Sequence, residues 1–319
     1  MEQNYDYHGD KTRVSRSSLC DFYFRSPRYY YWKHHGKGAK DESEKGARRY
    51  GSLMHLAVFE PSAFERVPVG KTPTTPNQLF FVDSLFKNPG EDPLILYMDA
   101  YKKVKGTEAN KRTADAMVEE YKPWLDAMQM GLNMVVSTVE REELLRLSQH
   151  IRNYNSITRE IFGATDGQSE EVCHWLDHKT RVRCKAKLDY TIRSIRVMMD
   201  LKTSGDASPD SFARDSDRYH YHWQPGFYTD GMYYSTDTQV DILPENFIFM
   251  VLDKNPPHEM GFYTLTPESI QMGQEQYAEA LEKISICIDQ QKWAGLDATG
   301  IQQVSLPRYS LNKHKFKTV

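Results

Sequence analysis

The chain carries no C-x-x-C pair, and its four cysteines, Cys20, Cys173, Cys184 and Cys287, are widely scattered. That spacing suggests neither a zinc ribbon nor a disulfide framework. It has no apolar run of about 18 residues and no basic-then-apolar leader, so no membrane span or signal peptide is expected. The sequence reads as that of a soluble, cytoplasmic protein. A Walker loop and a dinucleotide fingerprint are both missing, which argues against an ATP-driven motor within this chain. Positive charge is not in excess either: 41 Lys and Arg face 44 Asp and Glu, a net charge of −3. A protein held to nucleic acid by its whole surface is usually basic; a locally basic channel stays open. No internal repeat or low-complexity tract occurs. With 319 residues and 39% hydrophobic content, the chain can bury a substantial core.

What the chain does have is a charged stretch, residues 170–202, that reads as strands. Side chains on a strand alternate faces, so Asp200 and Lys202 share one face and Leu201 takes the other. With a turn centred at about residues 193–195, Asp189 falls opposite Asp200. Directly opposed residues lie near enough for two carboxylates to hold one cation. Arg181, Arg183, Lys185, Lys187 and Asp189 recur at every second residue. They are expected on one face, with Val182, Cys184, Ala186 and Leu188 on the core side. Such a row of cations would draw a phosphate backbone toward a carboxylate cluster that alone would repel it. An ordinary solvated hairpin shows the same alternation, and only the wider pattern separates the two readings.

The rest of the pattern is mostly helical. A single domain is expected, with residues 1–12 disordered, 13–165 mainly helical, and 166–319 holding a catalytic sheet and a C-terminal helix. Residues 15–33 open as a helix interrupted at Ser26 and Pro27, and 36–49 read as a loop rich in Gly, Lys and Glu. Leu53, Met54, Ala57 and Val58 have helical spacing ahead of Pro61. Residues 66–98, with several prolines, are expected to be irregular. Helices follow at about 98–120 and 137–162. The second has a Ser137/Glu140 capping box, an apolar face of Leu144, Leu147, Ile151, Tyr154 and Ile161, and a stop at Gly163. Residues 203–216 read as a polar loop, 218–234 as an aromatic helix, 247–252 as a buried strand and 261–265 as its neighbour. Thr266 and Pro267 begin a last helix to about Trp293. Helices before, between and after strands imply an α/β fold, a central mixed β-sheet flanked by helices.

Further motifs fall in order along the chain. They are V-S-R-S-S-L at 14–19, S-P-R-Y-Y at 26–30, G-x-x-x-H ending on His55, and E-x-x-x-x-W from Glu170 to Trp175. Then come A-K-L-D ending on Asp189, D-L-K-T-S from Asp200, Q-x-x-x-Y at Gln224 and Tyr228, and L-P-R-Y at 306–309. In this order they resemble the PD-(D/E)XK nuclease superfamily, whose core is restriction-endonuclease-like, and within it the RecE-type phage recombination exonucleases. The likeness is closest over 170–231 and weakest over about 62–135. It implies that Asp189 and Asp200 are metal ligands and that Glu170 completes the acidic set, with Glu171 its competitor. It implies further that His55 and the Leu201 carbonyl are additional ligands, and that Lys202 activates the attacking water. Gln224 and Tyr228 would position substrate or Lys202. Pro225 and Gly226 depart from a continuous helix there, since proline fits best in a first helical turn, so Gln224 is expected at the helix start.

The cofactor so implied is Mg²⁺ or Mn²⁺, two ions per site, hard cations suited to oxygen ligands. Arg181, Arg183, Lys185 and Lys187 would hold DNA. The implied activity is 5′ to 3′ digestion of double-stranded DNA ends, leaving 3′ single-stranded tails, in a bacterial or phage-infected cell. A homo-oligomeric ring and a RecT-like single-strand annealing partner belong to the same implication.

Singly, each signal has a plainer explanation. D-x-K and Q-x-x-x-Y recur by chance, a lone histidine on an apolar helix is more often packed core, and Glu170 with Glu171 reads as a solvated pair. His174 and His178 are spaced i, i+4 but lack the glutamate of a zinc protease. The clusters at 29–32 and 219–223 read as aromatic packing, with stacking on frayed bases as the alternative use. Three other functions stand beside the exonuclease: an endonuclease of the same superfamily, a CRISPR-type iron–sulfur relative, and a silent DNA-end-binding subunit. The iron–sulfur reading needs cysteines grouped near the C-terminus, where only Cys287 lies. The intact Asp189, Asp200 and Lys202 argue against the silent subunit.

Overall fold

The structure is a computed structural model that describes residues 7, 9–36, 46–132, 134–235 and 243–306. At its centre is a five-stranded sheet in the order β1-β2-β3-β4-β5. The strands are β1 (Gly167–Leu176), β2 (Arg183–Ile192), β3 (Val197–Ser204), β4 (Asn246–Asp253) and β5 (Met260–Tyr263). β3 and β4 run parallel and every other pair is antiparallel, so the sheet is mixed. A parallel pair needs a long crossover. Here it includes α11 (Pro209–Arg218), a 3₁₀ turn at Tyr221–Trp223 and α12 (Gln224–Tyr234).

Two helical layers cover the sheet. α1 (Arg16–Cys20), α2 (Pro27–His34), α12 and α13 (Pro267–Gln290) share a core with Trp175, Leu188, Trp223, Phe227, Phe249 and Leu281. α3 (Gly46–Phe59), α9 (Thr138–Asn153) and α10 (Ser156–Gly163) share another with Leu53, Leu147, Ile161, Tyr190, Leu201 and Met250. A third core, around Phe81, Tyr97, Tyr121 and Trp124, belongs to a helical excursion beyond α4 (Pro61–Glu65). It comprises α5 (Pro76–Lys87), α6 (Pro93–Lys105), α7 (Lys111–Glu120) and α8 (Lys122–Gln129). The α/β class, with a mixed sheet between helices, is the one the sequence implies.

Several element boundaries differ from the expected ones, each for a local reason. The prolines of 66–98 mark helix starts: Pro76 and Pro93 open α5 and α6 behind Thr75 and Asp92. There a missing N–H leaves no bond unmade. The helix expected over 98–120 is two, parted at Gly106, whose φ of 74° is the left-handed conformation glycine supplies. The helix expected over 137–162 breaks at Asn155, whose side chain caps α10. Tyr154, placed on its apolar face, is 37% exposed. The expected polar loop at 203–216 contains α11, capped by Ser208; only Phe212 and Ser216 of that helix are buried, which hides its period. α3 begins at Gly46, inside the expected loop.

The feature that shapes the site is a divergence of β2 and β3. They pair only near their turn, Tyr190 with Met199, Thr191 with Met198 and Ile192 with Val197. Farther along β2 the N-terminal segment takes the vacated place. Val14 N–H donates to the Arg183 carbonyl (2.9 Å), and Lys185 N–H donates to the Val14 carbonyl (2.8 Å). The preceding residues are anchored too. Lys185 Nζ donates to the carbonyls of Tyr7 (2.5 Å) and Asp10 (2.6 Å) and lies 4.6 Å from the centre of the Tyr7 ring. The disorder expected over 1–12 therefore does not hold at Tyr7 or from Gly9 on; residues 1–6 and 8 lie outside the described residues.

Candidate active site

Asp189 and Asp200 meet where β2 and β3 part. The hairpin register, continued one step past Tyr190 and Met199, sets one against the other. Leu201 lacks an antiparallel partner here and gives its backbone to the site instead. Its N–H donates to Asp189 Oδ2 (2.8 Å), and its carbonyl accepts from His55 Nε2 (2.8 Å). His55 reaches in from α3, and its Nδ1 lies 3.3 Å from Asp189 Oδ2. A carbonyl at one ring nitrogen and a carboxylate at the other both need a donor, so the imidazole is a cation. Burial pulls its pKa down, but Asp189 and, behind it, Asp200 outweigh that and hold it at about 9.

Glu170 is bent into this group. Its φ is 55°, between the paired residues Ser169 and Glu171 of β1. A left-handed glutamate inside a strand is strained, and such outliers gather at functional sites. One ligand atom each of His55, Glu170 and Asp189 lies within 4.8 Å of the other two. Glu170 also pairs with Lys187. Glu171 is engaged elsewhere: its carboxylate accepts from Thr191 Oγ1 (2.9 Å) and Arg193 Nη2 (2.6 Å).

Asp200 lies deeper, 2% exposed. It pairs with Lys202, and Gln224 Nε2 donates to its Oδ1. Burial pushes its carboxyl pKa up; Lys202 opposes that and Asp189 adds to it. Burial acts on Asp189 in the same sense, but His55, Lys202 and the Leu201 N–H together hold its pKa low. Burial and Asp189 push Glu170 up, against Lys187 and His55. Two carboxyls are thus pushed up, chiefly by burial, and a cation bound between them would favour their charged forms.

Gln224 opens α12 with Pro225 in the first turn. Its Nε2 also donates to the Tyr228 hydroxyl (3.2 Å), and its Oε1 is buried without a hydrogen-bond partner. The Lys202 ammonium sits 4.6 Å from the centre of the Tyr221 ring and 6.0 Å from that of Phe249. The turn bearing Tyr221 is clamped by α13. Gln276 Oε1 accepts from His222 Nε2 and Trp223 Nε1, at 2.9 Å each. At Gly273 an added Cβ would lie 2.1 Å from the His222 carbonyl oxygen, so only glycine lets α13 pass this close.

Two residues at the site escape the sequence reading, Tyr221 and Arg16. Arg16 follows the Val14 bridge and is carried by it toward Asp200. Its Nη1 donates to the Tyr219 carbonyl (3.0 Å), its guanidinium also meets the Cys20 side chain, and its Nε is buried without a hydrogen-bond partner. Against burial, Cys20, Tyr228, Asp200 and Tyr221 favour its charged form. The available signal was the V-S-R-S-S motif itself, which sets a cation at the first helical position behind the capping Ser15.

The expected row of cations does not form. Arg181 lies in the turn before β2, with φ at 60°, and Arg183 is exposed at the start of that strand. Lys185 is buried against the N-terminal segment, 5% exposed, and Lys187 is paired with Glu170. Period two describes the strand but not what packs on it. Leu306 is exposed, and 307–309 of the L-P-R-Y motif lie outside the described residues.

A mixed sheet with D…D-x-K on diverging strands, joined by a glutamate and a histidine, defines the PDDEXK-like class of fold. The chain belongs to the family described as the PDDEXK-like domain of unknown function (DUF3799), whose model matches residues 15–297. In fold it is similar to a crystal structure of a Eubacterium rectale protein provisionally described as an exonuclease. That match has a TM-score of 0.50 and 12% identity, covering 98% of this chain and 97% of the other. No curated protein matches the chain. Among the described residues, no helix is long and apolar enough to cross a membrane.

The donor set, carboxylates with one imidazole and a carbonyl, fits a divalent cation. Glu170→Gln should therefore weaken Mn²⁺ binding about tenfold or more, while Glu171→Gln changes it little and lowers stability instead. Calorimetric titration of both variants checks this; a larger loss at Glu171 would reverse the assignment.

The His55 ion pair predicts a pH dependence. Its folded pKa of about 9 lies above the unfolded value of about 6.5, so its contribution is complete below that value and lost as pH rises through 9. Metal-free protein should lose on the order of 3 kcal/mol across that window, and His55→Ala should flatten the slope. Denaturant midpoints at pH 6.5 and 9.5 measure it. Because a ligating imidazole must be neutral, Mn²⁺ affinity should rise over the same window.

Proposed function

We propose that this protein is a metal-dependent nuclease that digests double-stranded DNA from its ends, 5′ to 3′, leaving 3′ single-stranded tails. The observation that carries the reading is the His55–Glu170–Asp189 group contiguous with the Asp200–Lys202 pair. His55, Glu170, Asp189, Asp200 and the Leu201 carbonyl would hold Mg²⁺ or Mn²⁺, in one or two ions. Such a cation acidifies water and offsets the charge that builds on phosphate.

The chain's own groups divide the remaining work. Lys202, held between Asp200 and the Tyr221 ring, stands where its ammonium can polarise the attacking water and offset charge on the scissile phosphate. Gln224 Oε1, with no partner of its own, is an acceptor that can orient that water. The Tyr228 hydroxyl, pushed up to about 12 chiefly by burial, stays protonated and holds Gln224 in place. Arg16 Nε offers a buried donor to a phosphate oxygen, a contact that strengthens in a low-dielectric site. Arg181 and Arg183 are the members of the basic set left exposed to meet the backbone.

A net charge of −3 provides little general attraction for DNA. In this reading a homo-oligomeric ring retains the duplex, and the 3′ tails pass to a RecT-like annealing protein. The test is digestion of linear duplex with Mg²⁺, labelled at either end, beside covalently closed circles. The 5′ label should be released at once, 3′-labelled strands should shorten progressively, and circles should survive. Efficient cutting of circles would make it an endonuclease. Absence of metal-dependent cleavage of any DNA would remove the nuclease reading.

A further inference from the structure

The turn after α11 carries an aromatic surface that the catalytic group does not use. Tyr219 is 46% exposed and Phe24 37%. Phe24 stands on a π-helical turn at Asp21–Arg25, a feature often found at functional sites. Its ring stacks on His220 with centroids 3.5 Å apart and planes 7° from parallel. His220 holds a left-handed backbone, φ 57°, which a residue with a side chain adopts only at a cost. Core packing accounts for only part of these rings: the Phe24 ring lies 5.4 Å, centre to centre, from that of buried Trp223, yet Phe24 and Tyr219 both remain substantially exposed.

Short links join this surface to the site. The Tyr219 carbonyl accepts from Arg16 Nη1 (3.0 Å). The Tyr219 and Tyr221 ring centroids are 5.7 Å apart, and Lys202 Nζ lies 4.6 Å from the Tyr221 ring. The Arg218 guanidinium lies over the Tyr219 ring, 5.3 Å from its centre, adding positive charge beside it. Flat apolar faces with a cation beside them, next to a buried arginine donor, suit a base and its phosphate together.

We propose that Tyr219 and the Phe24–His220 stack form a ledge for an unpaired nucleobase of the strand under cleavage, next to the phosphate held by Arg16 and Lys202. The base must be unpaired, because a base inside a duplex shows its faces only to its neighbours. The ledge would thus hold the terminal pair open. This rests on the nuclease reading above.

The test uses the Asp200→Asn protein, which keeps the ledge, and a single-stranded oligonucleotide with 2-aminopurine at its 5′ end. Binding should quench the fluorescence. Adding Tyr219→Ala should abolish the quench and weaken binding about tenfold, and Tyr219→Trp should keep both. The Tyr219 side chain is exposed and its backbone carries the Arg16 contact, so the alanine variant retains the fold. Phe24→Ala provides an independent second reading. Unchanged quenching and affinity in both alanine variants would overturn the ledge and leave the nuclease reading standing. If the oligonucleotide does not bind and wild-type protein shows no metal-dependent cleavage, both fall together.

Discussion

Asp200→Asn and Lys202→Ala should each lower metal-dependent DNA cleavage by about 10²-fold or more, the scale on which removal of one transition-state charge contact acts. Their effects on stability should differ. Asp200 is buried with its carboxyl pushed up, and asparagine keeps its size and its acceptor for Gln224. Asp200→Asn should therefore cost less stability than Lys202→Ala, because the ammonium it leaves still has Asp189 nearby. Lys202→Ala removes one partner of a buried pair and strands a carboxylate, so stability should fall at neutral pH. That loss should shrink on acidification, as Asp200 takes up a proton. Rates under saturating Mg²⁺ and melting curves at two pH values measure both effects. Unchanged turnover in either variant would contradict the assignment of this pair to the chemistry.

Replacing Arg16 should have the next largest effect. Arg16→Gln should weaken DNA binding about tenfold and lower turnover with it. It should also reduce the log–log salt slope of binding by about one unit, as for one lost phosphate contact. Arg16→Lys should restore little, since a lysine cannot present a guanidinium's fork of donors to a carbonyl and a phosphate at once. If Arg16 only braces the turn through the Tyr219 carbonyl, the melting temperature will fall while the salt slope stays the same. Salt titrations of the two variants separate these outcomes.

Local pattern made part of the site legible. Asp189, Asp200 and Lys202 belong to one hairpin, and strand alternation with a short turn is enough to bring them together. Proline chemistry likewise set Gln224 at the start of α12. The prolines at 76 and 93 were read as breakers, although each follows a good capping residue and opens a helix. What could not be read depends on distant segments. Lys185 has the period of a surface cation, yet it is covered because Tyr7, Asp10 and Val14 lie beside β2 where β3 has left it. The same event brings Arg16 to Asp200. The left-handed kink at Glu170 distinguishes it from Glu171, and no spacing rule announces such a kink. The resemblance favoured Glu170 through its distance from Trp175, a signal of order along the chain and not of backbone shape.

The central claim is that His55, Glu170, Asp189 and Asp200 form one metal centre. A crystal soaked in Mn²⁺ tests it most directly, through anomalous difference density collected at the manganese edge. The account predicts a peak bounded by His55, the three carboxylates and the Leu201 carbonyl, strongly weakened in Asp189→Asn crystals. Protein that cleaves DNA in Mn²⁺ yet shows no peak there, or shows its peak elsewhere, would contradict it.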